Sequence, residues 1–414
     1  MRYLLITLLC FACFSCKNES KTEDSVTADS PVQPLKNGMY RGVLEVKDGE
    51  ELPFNFKVTS TNELEVYNAE EVINVDEVTY SADSVLIKLP VFEGYITAKR
   101  DGNNLKGQFI IESLERSVAF TANYGVEKRF ETAEVPTVNV SGVWETTFSV
   151  GKGDEAYMAK GIFTQKDDLV TGTFRTATGD YRFLEGVMDG NTMKLSAFDG
   201  SHAFLFTATV NDSTMEGTFY SGNHWKEPFM AKRNPSFELP EADDLTFLKE
   251  GYERLAFEFP DTSGNLVSLD DERFKGKVVV VQIMGSWCPN CLDESKYYAE
   301  FYKQNKSKDI AFVGLAFEYA KTEEAAFSRI DRLKERVGID YPILLAQYGS
   351  SDKEKAQEKL PMLNHVLSYP TSIFIDKTGK VRKIHTGFNG PATGEKYTAF
   401  KAEFERFVAE LLAE

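Results

Sequence analysis

The chain has 414 residues, of which 42% are hydrophobic, and a formal net charge of −17 at pH 7. That length allows two to four domains, and the even spread of apolar residues excludes a polytopic membrane protein. The acidic balance, unbroken by any basic stripe, excludes a nucleic-acid partner, because neutralising phosphates takes clustered Lys and Arg. Cys10, Cys13 and Cys16 crowd the N-terminus and Cys288 and Cys291 form a separate pair. With no cysteine between the groups, there is no structural disulfide framework.

Residues 1–16 read as a targeting segment. Arg2 supplies a positive start, and Leu4 to Phe14 is apolar but too short to span a bilayer. The segment ends in Cys13-Phe14-Ser15-Cys16-Lys17, which resembles a bacterial lipobox with Cys16 as the lipidated residue and Cys13 in place of the usual leucine. The alternative is an ordinary signal peptide cut nearby. Both send the protein to a compartment where disulfides persist. Residues 17–36 are polar, with Pro31 and Pro34, and read as a flexible tether.

From residue 37 to residue 233 the pattern is all-β: short alternating segments every ten to twelve residues or so, split by turn signals such as Asp101-Gly102-Asn103, Asp189-Gly190-Asn191 and Ser221-Gly222-Asn223. The region repeats internally. Gly38-Met39-Tyr40 matches Gly142-Val143-Trp144, the stretch Lys88 to Gly94 matches Lys194 to Gly200, and Leu105 to Phe109 matches Met215 to Phe219. The expectation is two related up-and-down β units, barrel- or meander-like, at residues 37–125 and 137–233. Trp144, Trp225, Phe174 and Phe183 read as core rather than as a ligand pocket. His202 and His224 lack any metal-ligand spacing. A linker follows at residues 234–252, with room for a short helix.

Residues 253–414 have a β/α pattern. The apolar run Val278 to Met284 reads as a buried strand, and Pro289 to Asn305 as a helix. Between them lies Trp287-Cys288-Pro289-Asn290-Cys291, so the thiol pair sits where strand passes to helix. Cys288 falls at the N-cap, and Pro289 at the first helical position, where proline costs least. The positive helix end lowers the Cys288 pKa, and Cys291 can reach back one turn to close a disulfide. This is a redox site, with Cys288 as the exposed attacking sulfur. A strand at Ile310 to Leu315, a helix at Glu323 to Val337, a strand at Tyr341 to Leu345, a polar segment at Gly349 to Lys359, strands at Ser372 to Ile375 and Val381 to His385, and a helix at about Tyr397 to Leu412 complete the domain.

Gly276 to Val281, then Gly285-Ser286-Trp287-Cys288-Pro289-Asn290-Cys291, then Tyr369-Pro370-Thr371 before a strand resemble the thioredoxin fold in its exported TlpA/ResA-like branch. The resemblance covers roughly the last 160 residues. It implies an α/β thioredoxin fold and a thiol-disulfide oxidoreductase needing no cofactor beyond its own Cys288–Cys291 disulfide. It further implies that Pro370 is cis and faces the disulfide, with Tyr369 offering its backbone to an extended substrate. The acid that thioredoxins bury six residues before the first cysteine is here Gln282, whereas Glu294, three residues after Cys291, matches the glutamate of ResA-like members; the resemblance implies a proton shuttle for Cys291, and the alternative is a second-turn acid that only complements the helix dipole. Expected partners are exported protein thiols and disulfides, an upstream thiol electron donor, and a membrane held through the N-terminal lipid. The expected place is the cell envelope, facing periplasm or exterior. The uncharged Pro-Asn pair favours a reductase over a strong oxidant. Three rival readings fare differently. A zinc site needs four ligands, and His365 and His385 lack paired spacing. A peroxiredoxin wants a threonine where Gly285 stands. A ligand- or partner-binding β module with an accessory redox domain is the remaining alternative.

Overall fold

The computed structural model describes residues 33–414; the leader, Cys16 and most of the tether lie outside the described residues. The first β unit contains β1 (Gly38–Glu45), β2 (Glu51–Val58), β3 (Leu64–Asn68), β4 (Glu71–Val75), β5 (Glu77–Ser81), β6 (Ser84–Lys88), β7 (Tyr95–Asp101), β8 (Asn104–Ile111) and β9 (Arg116–Tyr124). Each strand pairs antiparallel with its chain neighbour, and β1 also pairs with β9. The break falls between β4 and β5, which follow one another with only Asp76 between them. One bent segment therefore pairs with β3 through its first half and with β6 through its second.

The second unit contains β10 (Gly142–Phe148), β11 (Tyr157–Lys166), β12 (Leu169–Thr176), the short β13 (Gly179–Asp180), β14 (Leu184–Asp189), β15 (Thr192–Phe198), β16 (Ala203–Val210), β17 (Thr214–Ser221) and β18 (Trp225–Arg233). Here the ladder closes: β10 pairs with both β11 and β18, and β11 also pairs with β12. Closure removes the sheet edges that an open meander would expose. Period-two alternation puts Trp144, Phe148, Phe174, Phe206 and Phe229 inside, each no more than 1% exposed.

The repeated sequence segments occupy equivalent strands. Gly38 and Gly142 open β1 and β10, and Leu105 to Phe109 and Met215 to Phe219 lie in the penultimate strands β8 and β17. Gly107 and Gly217 mark one shared close approach: an added Cβ would lie 2.0 Å from the Thr97 carbonyl oxygen in the first unit and 2.4 Å from that of Thr207 in the second. Gly107→Ala is therefore expected to cost about 1–3 kcal/mol, the usual range for overpacking, read as a lower urea midpoint.

The two barrels pack side by side. Phe198 of β15 inserts against Phe54 and Phe109 of the first unit, with ring centroids 4.4 and 5.0 Å away.

The last domain opens with a hairpin, β19 (Glu258–Pro260) and β20 (Leu266–Ser268). Its main sheet contains β21 (Val278–Met284), β22 (Ile310–Phe317), β23 (Ile343–Gln347), β24 (Thr371–Ile375) and β25 (Val381–Thr386), in the order β23-β22-β21-β24-β25. Helices α1 (Pro289–Asn305), α2 (Glu323–Val337), α3 (Lys353–Lys359) and α4 (Glu395–Ala413) cover it. Every residue of β21 and β22 is buried, as expected of strands covered on both faces. The fold class matches the expectation in both parts. Two details differ: α3 forms within the segment expected to be merely polar, capped by Asp352, whose side chain accepts from the Lys355 N–H, and the linker holds only a 3-10 turn at Ala242–Asp244. Among the described residues no helix is long and apolar enough to cross a membrane.

Both barrels grip this domain. Phe92, from the loop after β6, is buried in the last domain's core. Arg329, Arg332 and Arg336 on α2 meet Glu93, Glu77 and Asp76 of the first barrel. The second barrel lies on the disulfide side.

Candidate active site

The chain leaves β21 at Met284 and turns through Gly285, Ser286 and Trp287 into α1. Cys288 is the N-cap of α1 and Pro289 its first residue. Cys288 and Cys291 are joined as a disulfide, Cα atoms 5.2 Å apart. The Cys291 N–H donates to Cys288 Sγ at 3.1 Å. That bond and the positive helix end favour negative charge on this sulfur once the disulfide opens. On the other side the Tyr369 carbonyl oxygen lies 3.4 Å from Cys288 Sγ, and the Tyr369–Pro370 peptide bond is cis. Trp287 packs edge-on to the Tyr369 ring at 5.6 Å and donates its indole N–H to the Phe317 carbonyl at 2.9 Å.

Glu294 is fully buried behind the pair. Gln282 Nε2 donates to its Oε2 at 2.8 Å, and the Ser372 and Tyr298 hydroxyls lie 3.0 and 3.1 Å from its Oε1. Burial pushes its carboxyl up to about 7, against the lowering effect of the Gln282 and Ser372 hydrogen bonds. Gln282, in the place of the usual acid, thus bridges Glu294 to Ser295, whose hydroxyl donates to Gln282 Oε1 at 3.1 Å.

A second buried carboxylate escaped the sequence reading. Glu318, just past β22, accepts from the N–H and the hydroxyl of Ser286, both at 2.7 Å. Burial raises its pKa. It fixes the turn that presents Trp287 and Cys288. A charged residue directly after the apolar run Ile310–Phe317 was the available signal.

Cys288 is not the exposed sulfur that the sequence suggests: it is 5% exposed and Cys291 is 0% exposed. Loops of the second barrel lie on the residues around it. The Ser201 hydroxyl donates to the Trp287 carbonyl at 2.9 Å, Asn290 Nδ2 donates to the Asp180 carbonyl at 3.2 Å, and the Ser368 hydroxyl donates to the Thr178 carbonyl at 2.9 Å. Sequence periodicity gave no sign of this polar contact.

The other singled-out residues sort as follows. Trp144 and Phe174 are core, Phe183 is half-buried, and Trp225 is 43% exposed, so it is not core. Trp225 stands on a bowl of about 660 Å³ at the end of the second barrel, with Tyr157, Tyr181, Phe204, Phe219 and Glu227. His202 Nδ1 faces Asp199 at 3.2 Å and His385 Nδ1 faces Asp243 at 2.7 Å.

A buried disulfide held at the start of a helix on this mixed sheet suits exchange with another thiol pair. The C-terminal domain is a thioredoxin-fold thiol-disulfide oxidoreductase. More narrowly it is TlpA/ResA-like. The Redoxin family profile matches residues 249–399. The thiol-disulfide oxidoreductase ResA of Bacillus subtilis is 28% identical over 142 residues, which cover 34% of this chain and 69% of that protein. The thioredoxin-like protein YneN of the same organism is 26% identical over 140 residues, covering 34% of this chain and 73% of that one. Among solved structures, a thioredoxin-family thiol:disulfide interchange protein from Chlorobium tepidum aligns at 22% identity and TM-score 0.30, covering 40% of this chain and 98% of that one.

Proposed function

We propose that the protein is a lipid-anchored extracytoplasmic thiol-disulfide reductase, acting on exported protein disulfides and recharged by an upstream thiol donor. Cys288 attacks, Cys291 resolves, Tyr369 and Pro370 dock the substrate, Glu294 carries the proton, and Trp287 and Pro289 hold the loop. The observation that carries this reading is the bond from the Cys291 N–H to Cys288 Sγ at the helix N-cap. Electron direction is tested by trapping thiols in living cells with an alkylating reagent. A reductase keeps Cys288 and Cys291 mainly as thiols in the steady state; a pair found mainly oxidised makes the protein an oxidase.

Anchoring rests on Cys16. The several acyl chains of a bacterial lipoprotein hold stably where one chain holds weakly. Cys16→Ala is expected to move the protein from the membrane pellet to the soluble fraction. Unchanged pelleting would overturn the lipid anchor.

The bowl on the second barrel favours a second reading, in which this unit binds a small ligand. Its wall is aromatic and Glu227 supplies a carboxylate 4% exposed, which suits an aromatic amine. Trp225, exposed at the rim, is the reporter. A saturable change in tryptophan emission, excited at a wavelength the ligand does not absorb, on titration with the non-indole amine phenethylamine, absent in Trp225→Phe, is the expected sign.

A further inference from the structure

The second barrel touches the turn into α1, the loop before β24 and the loop after β25. The segment Thr178–Arg182 runs across the start of α1 and the loops beside it. Beyond the bonds of Ser201, Asn290 and Ser368 already described, the Gly390 N–H donates to Asp180 Oδ2 at 2.6 Å, and Arg175 Nε donates to Asn389 Oδ1 at 3.0 Å. The fit is close. A Cβ on Gly179 would lie 2.2 Å from Asn290 Nδ2, and one on Gly387 would lie 2.6 Å from the Thr178 carbonyl carbon. Arg182 locks the segment down. Its guanidinium pairs with Asp293 on α1, with Glu71 of the first barrel and, at 3.3 Å, with Asp199 of the second, and it donates to the Pro289 carbonyl at 3.3 Å. Lys296 sits 3.6 Å from the other Asp293 oxygen. One buried cation thus ties three parts of the chain together beside Cys288.

Under this cover Cys288 is 5% and Tyr369 9% exposed. An extended protein chain needs room along the Tyr369–Pro370 loop and a clear line to Cys288 Sγ. The Thr178–Arg182 segment occupies the approach from Asn290 on one side and from Ser368 on the other. We propose that the second barrel is a built-in gate: its Thr178–Arg182 segment competes with protein partners for the surface around the disulfide, and a protein thiol or disulfide reacts only after the segment lifts. A small thiol needs far less clearance and is hindered less. This rests on the exchange chemistry of the Cys288–Cys291 pair, but the test below reads access alone and needs no turnover.

The test follows reduction of the Cys288–Cys291 disulfide in the full chain, by quenched alkylation, with dithiothreitol and separately with a reduced thioredoxin as the protein dithiol. Each reductant supplies two electrons and becomes a disulfide, leaving two thiols on this protein. The quantity of interest is the ratio of the two rates. Arg182→Gln is expected to raise the thioredoxin rate at least about tenfold while changing the dithiothreitol rate less than about threefold. Arg182 neutralisation leaves acids without their partner and can unsettle the fold. A second variant, Ser201→Ala with Asn389→Ala, removes two polar contacts without stranding a buried acid and is expected to shift the ratio the same way by about threefold, with an unchanged melting profile. Hydrogen exchange at residues 178–182 should speed up in both. A rate ratio equal in wild type and in the folded double variant overturns the gate. Failure of the enzymatic reading looks different: the ratio still responds to the variants, but no substrate disulfide is turned over.

Discussion

Cys288→Ser is expected to bring disulfide exchange down to background, and Cys291→Ser to leave the first step running but stall it as a mixed disulfide with the partner. The asymmetry comes from position. The Cys288 sulfur caps α1 and accepts the Cys291 N–H, so its thiolate meets a donor and the positive end of a helix. The thiolate is the attacking species, so a setting that favours negative charge on this sulfur raises the fraction that can attack. Cys291 has no such setting. It is fully buried, a turn inside the helix, and the sulfur it can reach is that of Cys288. On the proposed assignment its work is intramolecular: it displaces the partner's sulfur from Cys288 and re-forms the disulfide. Without it the Cys288–partner bond has no resolving thiol nearby and accumulates. Non-reducing gels of the two variants after incubation with a protein disulfide separate the roles. High-mass adducts should appear with Cys291→Ser and be absent with Cys288→Ser; the reverse pattern would exchange the assignments.

Much of this arrangement was legible in the chain, and the reasons are local. The run Val278 to Met284 is buried on both faces and reads as such without help, and Pro289 after Cys288 fixes where α1 begins. Alternation gives each strand an inside and an outside but does not say what covers the outside. β15 illustrates this: Phe198, on the face away from its own barrel, packs on Phe54 and Phe109 of the first barrel. Ser196, fully buried, donates to the Pro53 carbonyl at 2.5 Å. Nothing in the sequence singles out the Thr178–Arg182 segment, because the contacts it makes are polar and long-range, and hydrophobic periodicity carries no trace of them. Glu318 was missed for a simpler reason. β22 runs on to Phe317, two residues beyond the expected end at Leu315, so the acid comes directly at the strand tip beside Ser286.

Glu294→Gln is expected to slow exchange by about a hundredfold near neutral pH, the low end of what a positioned acid or base contributes. When a substrate is reduced, Cys291 passes from thiol to disulfide and its proton must leave; when the pair is recharged, a proton must return. The sulfur is buried, and a bare thiolate there is costly. Glu294 lies one turn further along α1, on the same face, and burial holds its carboxyl at about 7, so both protonation states are populated at working pH. Ser372 and Tyr298 bring hydroxyls that turn to accept from the acid or donate to the carboxylate. The same shift makes a claim about stability. From an ordinary 4.5 to about 7 in the folded chain, at about 1.4 kcal/mol per pH unit, is roughly 3 kcal/mol. The folded pKa is raised, so this stability is fully present below pH 4.5, is lost as the pH rises through about 7, and is gone above it. The amide of the Glu294→Gln variant has no proton to lose, so the stability of that variant relative to wild type should climb by that amount between about pH 4.5 and about pH 8. All other titrations are common to both proteins and cancel in the difference. A helix-end acid that merely complements the dipole would behave otherwise: exchange rates would coincide across pH, and the variant would lose up to about 1 kcal/mol with no pH trend of this size. Stopped-flow reduction and urea unfolding, run as paired pH series on the two proteins, decide between them.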